Sequence, residues 1–305
     1  MKKAMQEERI KGPPVWLDMD QAEIDAAYNQ AVYAPQHAQV LQRYADTSEA
    51  VRSRLGPPLR FAYGSGAAEG LDVYTTAQAG APIAVFIHGG AWRSGQARDY
   101  GFAAELLVRA GAHLVVPDFD AVQDVQDSLL PMADQVRRAV AWVHRHAQRF
   151  GGDASRLHVL GHSSGAHLAA VVLTTDWAGQ FGLPVDTVKG GMCCSGMFDL
   201  KPVRLSARSS YVRFTDEMEQ ALSPQRHLAR INAPLMVAYG TLETPEFQRQ
   251  SRDFAAALAA AGKPVQLLVA GGANHFEIIE SLAHADGLLG RAVLAQMGLR
   301  PGRQA

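Results

Sequence analysis

The stretch Leu157-His158-Val159-Leu160-Gly161-His162-Ser163-Ser164-Gly165-Ala166-His167-Leu168 decides the fold. An apolar run at 157–160 meets the five residues Gly161 to Gly165, and an Ala- and Leu-rich segment follows as far as Leu173. A run that short reads as a strand covered on both faces, and the segment behind it as a helix. A strand passing straight into a helix leaves one residue at the apex of a very tight turn. Small residues two positions to either side let the two backbones pass, and Gly161 and Gly165 are those residues. The apex is Ser163. Its hydroxyl is expected at the carboxyl edge of the sheet. The Ser164 N–H then lies at a helix start, where developing negative charge is favoured. Ser163 is the candidate nucleophile; the competing reading is a glycine-rich helix start with a capping serine.

Further β-rich apolar runs lie at 59–63, 71–75, 83–88, 113–117, 188–194, 235–239 and 265–269. With 157–160 they make eight expected strands. Helical spacing appears between them at 101–110, 130–149, 164–173, 246–261 and 277–297. Such alternation predicts an α/β fold with a mostly parallel sheet and helices on both faces. No helix separates the first two runs, so an antiparallel hairpin is expected to lead into the parallel part. The opening 58 residues differ, with helical spacing at 21–30 and 35–55 and a stop at Gly56-Pro57-Pro58. The expected organisation is an N-terminal helical segment, 1–58, placed to act as a lid, and a catalytic domain, 59–305.

The chain has 305 residues, long for one domain but ordinary for a single α/β fold. With 48% hydrophobic and 19% charged residues it is neither disordered nor fibrous. Lys and Arg number 29 against 30 Asp and Glu, so no basic excess points to nucleic acid or an anionic membrane. Cys193 and Cys194 are adjacent, where a bridge is strained, and two sulfurs cannot close a zinc site; they read as small buried side chains. The basic opening, Met1-Lys2-Lys3 onward, has no apolar stretch behind it, and the longest apolar run is far too short for a membrane span. A soluble, cytoplasmic protein without metal or cofactor is expected.

A nucleophilic serine needs an oxyanion hole, a base and an acid. His88-Gly89-Gly90-Ala91-Trp92 follows the run at 83–88, and adjacent glycines let loop amides turn inward. Gly89, Gly90 and Ala91, with Ser164, are the candidate donors. Around a strand-to-helix elbow the triad order is serine, acid, histidine, so the base should come late. His275, in Gly271-Gly272-Ala273-Asn274-His275-Phe276, is the candidate base. His284 reads as solvent-facing inside a helix, and His167 as a local packing or hydrogen-bonding residue. Glu243, in the loop after the run at 235–239, is the candidate acid. Its rival, Glu246, follows Pro245 in a first helical turn, where the helix dipole favours acids.

These motifs together resemble the α/β-hydrolase-fold kynurenine formamidases (arylformamidases), relatives of the hormone-sensitive-lipase-like esterases. The resemblance covers most of the chain. It rests on the His88 and Gly161 motifs, Phe150-Gly151-Gly152-Asp153, Ser195-Gly196-Met197-Phe198-Asp199-Leu200, the stretch from Thr244 to Ser251, Asn274-His275-Phe276 and the pair Tyr28-Asn29. It implies a cofactor-free serine hydrolase of aryl formamides and small esters, with Ser163 as nucleophile, His275 as base and Glu243 at the acid position. Three departures stand out: Glu243 where Asp is usual, Ser164 where Ala is common, and a loop at 118–123 without the family's Tyr and Pro. That loop is expected to line the pocket, and Tyr28, Trp92 and Phe276 to supply an aromatic wall. The expected partner is a small ester or amide, with a homodimer left open. The alternatives are an amidase or carbamate hydrolase, a lyase or acyltransferase on the same fold, and a non-catalytic binding protein.

Overall fold

The computed structural model describes residues 11–302, so the first ten residues of the basic opening lie outside them. The apolar runs form strands β1 (Leu59–Ala62), β2 (Gly70–Tyr74), β3 (Ala81–Ile87), β4 (His113–Pro117), β5 (Gly152–His162), β6 (Gly190–Cys194), β7 (Leu235–Gly240) and β8 (Val265–Ala270). They pair into one sheet in the order β1-β2-β4-β3-β5-β6-β7-β8. β2 runs antiparallel to both β1 and β4; every other pair is parallel. The expected hairpin and parallel body are both present.

The α-helices are α1 (Gln21–Ala27), α2 (His37–Leu55), α3 (Ala104–Arg109), α4 (Leu129–His146), α5 (Ser164–Leu173), α6 (Trp177–Phe181), α7 (Leu200–Leu205), α8 (Asp216–Ala221), α9 (Pro245–Ala260) and α10 (Leu288–Gln296). Strand side chains alternate between two cores, as a period of two requires. On one face Ile83, Val85, Ile87 and Val159 pack with Met132, Val136 and Val140 of α4 and with Phe247 and Phe254 of α9. On the other, Ala84, Phe86 and Leu160 pack with Leu107 of α3, Leu289 and Val293 of α10, and Val40, Tyr44 and Val51 of α2. Both faces of the central strands are therefore covered, which is why these segments read as unbroken apolar runs. The longest N-terminal helix shares the second core with the sheet.

Three stretches differ from their sequence reading. The run at 157–160 is only the end of β5, whose earlier residues Asp153, Ser155 and Arg156 are polar because that end reaches solvent. The single helix expected at 277–297 is broken into a 3-10 turn at Ile278–Ala283 and α10. A Cβ on Gly287 would stand 2.1 Å from the Ser281 carbonyl oxygen, so the chain doubles back there through a glycine that admits the close approach. Helices α6 to α8 carry five or six residues each, too few to show a helical period. Cys193 and Cys194 lie on β6, free and fully buried. Among the described residues no helix is long and apolar enough to cross a membrane.

Candidate active site

β5 ends at His162 and α5 begins at Ser164, so Ser163 has no residue of slack on either side. It takes φ 57° and ψ −125°, a strained backbone for a side chain with a Cβ. A Cβ on Gly161 would meet the Gly165 carbonyl oxygen at 2.3 Å, and one on Gly165 the Ile87 oxygen at 2.1 Å. Both glycines are needed for the crossing. The Ser163 N–H is taken by the Cys194 carbonyl at 2.9 Å, which ties the apex to β6.

β8 ends at Ala270, and the following loop carries His275 back over this apex. His275 Nε2 lies 2.8 Å from Ser163 Oγ, and its Nδ1 lies 3.0 Å from Glu243 Oε2. A carboxylate only accepts, so Nδ1 carries the proton and Nε2 is left to accept from the serine hydroxyl. Glu243 is 1% exposed. Its other oxygen, Oε1, accepts from the Ser195 hydroxyl and the Gly240 N–H, each at 2.6 Å. Buried carboxylate oxygens need such donors in place of the water they lose. The structure thus brings Ser163, His275 and Glu243 together.

His162 and Ser195 were missed from sequence. His162 donates from Nε2 to the His275 carbonyl at 2.8 Å and so holds the backbone of that loop. Burial, with the neighbouring His275 adding to it, pushes His162 down to about 3, which keeps it neutral. Ser195 follows β6 with φ 57°, a second small residue at a strand end in left-handed backbone. The only available signal was Ser195-Gly196 directly after an apolar run.

The loop from His88 lies beside the elbow. Gly89 backs onto it, a Cβ there standing 3.1 Å from the His162 carbonyl oxygen and 3.2 Å from Ser163 Cβ. Gly90, with φ 120°, and Ala91, with φ 55°, line the same cavity as Ser163 and His275. Among the described residues no protein acceptor takes the N–H of Gly90, Ala91 or Ser164. Within the site, His88 Nδ1 donates to the Gly89 carbonyl at 2.8 Å, and Ser164 Oγ accepts from the Trp92 N–H at 3.2 Å. The Ser164 hydroxyl therefore does more than the sequence reading gave it, which counted only its N–H.

Other expectations are corrected. Trp92 is not part of the cavity wall; it is 2% exposed and packs edge-on against His167, so it belongs to the core. Tyr28 and Phe276 do line the cavity. The loop at 118–123 stays outside it, because Phe119 stacks flat on His88 at 4.4 Å and the Val122 N–H bonds to the Trp92 carbonyl. That loop supports the glycine loop from behind. His167 reaches not a local group but the Leu222 carbonyl, at 2.7 Å. His284 is exposed, as expected, but ends a 3-10 turn rather than sitting within a helix. Glu246 points away from His275: its carboxylate is gripped through both oxygens by Arg249 and accepts from the Tyr28 hydroxyl at 3.0 Å.

The cavity measures about 270 Å³. Roomier depressions of 510 and 760 Å³ lie elsewhere on the surface, but Ser163 lines neither. The N-terminal segment supplies Tyr28, Asn29, Gln30, Ala31, Leu41 and Tyr44 to its wall. It also grips the acid loop. Gln30 pairs through its amide with the N–H and hydroxyl of Thr244, and that hydroxyl donates to the Ala27 carbonyl at 2.7 Å.

The sheet order and the strand-to-helix elbow define an α/β-hydrolase. Known proteins agree. Two family models match: BD-FAE over residues 71–190 and the prolyl oligopeptidase family over 132–286. The chain is 31% identical to a kynurenine formamidase from Salmo salar over 300 residues, covering 93% of this chain and 98% of the relative. It is 30% identical to one from Danio rerio with the same coverage. A putative thioesterase from Silicibacter sp. TM1040 superposes with a TM-score of 0.78 at 22% identity, over 90% of this chain and 99% of the other, and so shares the fold. Esterase LipW from Mycobacterium marinum does so at 0.69 and 20%, over 89% and 90%. The chain belongs to the kynurenine formamidase family of α/β-hydrolases, and it is a hydrolase of the esterase and formamidase type.

Proposed function

We propose that this hydrolase cleaves small aryl formamides and short-chain esters through Ser163, His275 and Glu243, with the N–H groups of Gly90, Ala91 and Ser164 as its oxyanion hole. The observation that carries the reading is the unbroken chain from Ser163 Oγ to His275 at 2.8 Å and from His275 to Glu243 at 3.0 Å. The two fish relatives are kynurenine formamidases, which supports the formamide as substrate. A cavity of about 270 Å³ falls at the small end of ligand sites and favours a short acyl group.

In the first half-reaction Ser163 Oγ attacks the carbonyl carbon while its proton passes to His275 Nε2. The carbonyl electrons move onto oxygen, and that charge is met by the free amides of the glycine loop and the helix start. Collapse expels the aryl amine or alcohol, which takes the proton from His275 and leaves Ser163 as its formate or acyl ester. Water then attacks that ester with His275 as base, releasing formate or the acid and restoring the serine. Glu243 keeps the imidazole in the tautomer that accepts from serine and stabilises its charged form. The N-terminal segment supplies one wall of the cavity that holds the substrate.

A substrate panel tests this reading: N-formylkynurenine, p-nitrophenyl esters of rising acyl length, and aryl carbamates. Turnover of the formamide and of the shortest esters, falling as the acyl chain lengthens and absent in Ser163→Ala, is the expected outcome. A wild-type protein inert to the whole panel, or a Ser163→Ala variant that keeps the wild-type rate, overturns it.

A further inference from the structure

Arg208 is the one formally charged side chain among the described residues that line the cavity holding Ser163 and His275. It sits in the 3-10 turn Ala207–Ser210, directly after α7. Several arginines of that region have carboxylate partners: Arg204 meets Asp216 and Glu219, Arg226 meets Glu219, and Arg249 meets Glu246, whereas Arg93 lies over the Tyr211 ring outside this cavity. Arg208 meets none. Its Nη1 donates to the Tyr211 hydroxyl, its Nη2 to the Tyr28 carbonyl at 3.1 Å, and its guanidinium lies 5.6 Å from the centre of the Trp92 ring. A guanidinium has five N–H groups, and Nε–H here is cut off from solvent with no acceptor. Nη1 and Nη2 each spend one N–H on these partners and keep a second, and a half-buried cation with no carboxylate partner, lining a cavity without any acid of its own, is matched to an anion.

We infer that Arg208 determines specificity by binding a carboxylate on the part of the substrate remote from the scissile carbonyl. The inference rests on the hydrolase reading and narrows it. The substrates are small aryl formamides or esters that carry an acid group. Neutral analogues fit the same cavity but leave the guanidinium without its counter-charge. Arg208 acts as a binding group only, because Ser163, His275 and Glu243 carry the chemistry.

The test compares 2-, 3- and 4-formamidobenzoate with the three corresponding formamidobenzamides, which keep the shape and lose the charge. For at least one ring position, wild-type kcat/KM should favour the acid by about 10–100-fold, mostly through KM, as a charge-assisted pair implies. Arg208→Met should bring that ratio close to one, and Arg208→Lys should keep part of it. Equal use of acid and amide at every ring position, or equal losses on both in Arg208→Met with the ratio preserved, overturns the inference. Calorimetry on Ser163→Ala with benzoate and benzamide measures the same preference without turnover. Benzoate should bind more tightly there, and less so when Arg208→Met is added. If no formamide is cleaved, the formamide part of the proposed function fails while ester hydrolysis is judged by the wider panel, and the calorimetry still decides the role of Arg208.

Discussion

At the residue scale, the acid is where this chain differs most from its expected pattern. Glu243 is one methylene longer than the aspartate that the resemblance implies for this position. Its carboxylate is shared by three donors, His275 Nδ1–H, the Ser195 hydroxyl and the Gly240 N–H. Glu243→Gln replaces one acceptor oxygen by an amide donor and favours the wrong imidazole tautomer. A fall in kcat of about 10²–10⁴-fold on an ester substrate is expected, with the fold retained by circular dichroism. Glu243→Asp keeps the charge but shortens the reach, so it should fall between wild type and Gln. A silent Glu243→Gln would remove Glu243 from the mechanism. The serine, the histidine and this acid were all legible in the sequence, since each sits in a turn that follows an apolar run. The parts played by Ser195 and His162 were not, because both act through hydrogen bonds to residues 48 and 113 positions away that only the folded chain brings near.

At the element scale, the N-terminal helices and α9 meet around Glu246, the acid that sequence left as a rival. Glu246 is 3% exposed, and its partners are Arg249 and Tyr28 rather than His275. Glu246→Gln leaves Arg249 with a weaker acceptor inside a mostly buried pair. It should cost about 1–3 kcal/mol of stability, seen as a melting temperature lower by a few degrees. The rate on an ester should change less than about threefold. A loss of kcat as large as that of Glu243→Gln, without loss of stability, would exchange the two roles. Strand positions were the most legible elements, because the central strands are covered on both faces and stay apolar throughout. The short helices between β6 and β7 were not legible, and they bring Arg208 to the cavity. Helices of six residues cannot display a helical period, so the part of the chain that brings Arg208 to the pocket was the least readable.

At the scale of the whole molecule, several histidines are buried inside the fold. Burial pushes His162 down to about 3 and His167 to about 4, and it also lowers His88, His113 and His158 from the ordinary value of 6.5. The unfolded chain takes up these protons near pH 6.5 and the folded chain resists them. Stability is therefore fully present above about pH 6.5 and is lost as pH falls below it, and His162 and His167, held furthest down, each add a slope of up to about 1.4 kcal/mol per pH unit. Glu69, held down to about 2 by Arg138, adds its own loss only below the ordinary carboxylate range. Between pH 4.5 and 6.5 the histidines thus dominate. Urea midpoints across that window should fall steadily, and His167→Gln should make the fall shallower. An unchanged slope in that variant would show that His167 does not resist protonation in the fold.

The central claim is that Ser163 is the attacking group, and covalent labelling tests it most directly. The hydroxyl sits at a strained apex within 2.8 Å of an imidazole held in the accepting tautomer. A fluorophosphonate should therefore add once to the wild-type protein, with fluoride leaving and the phosphorus bonded to Ser163 Oγ, as read by intact mass and peptide mapping. Ser163→Ala should show no adduct, and His275→Ala should label far more slowly. An adduct mapped to another residue, or full labelling of Ser163→Ala, would contradict the account.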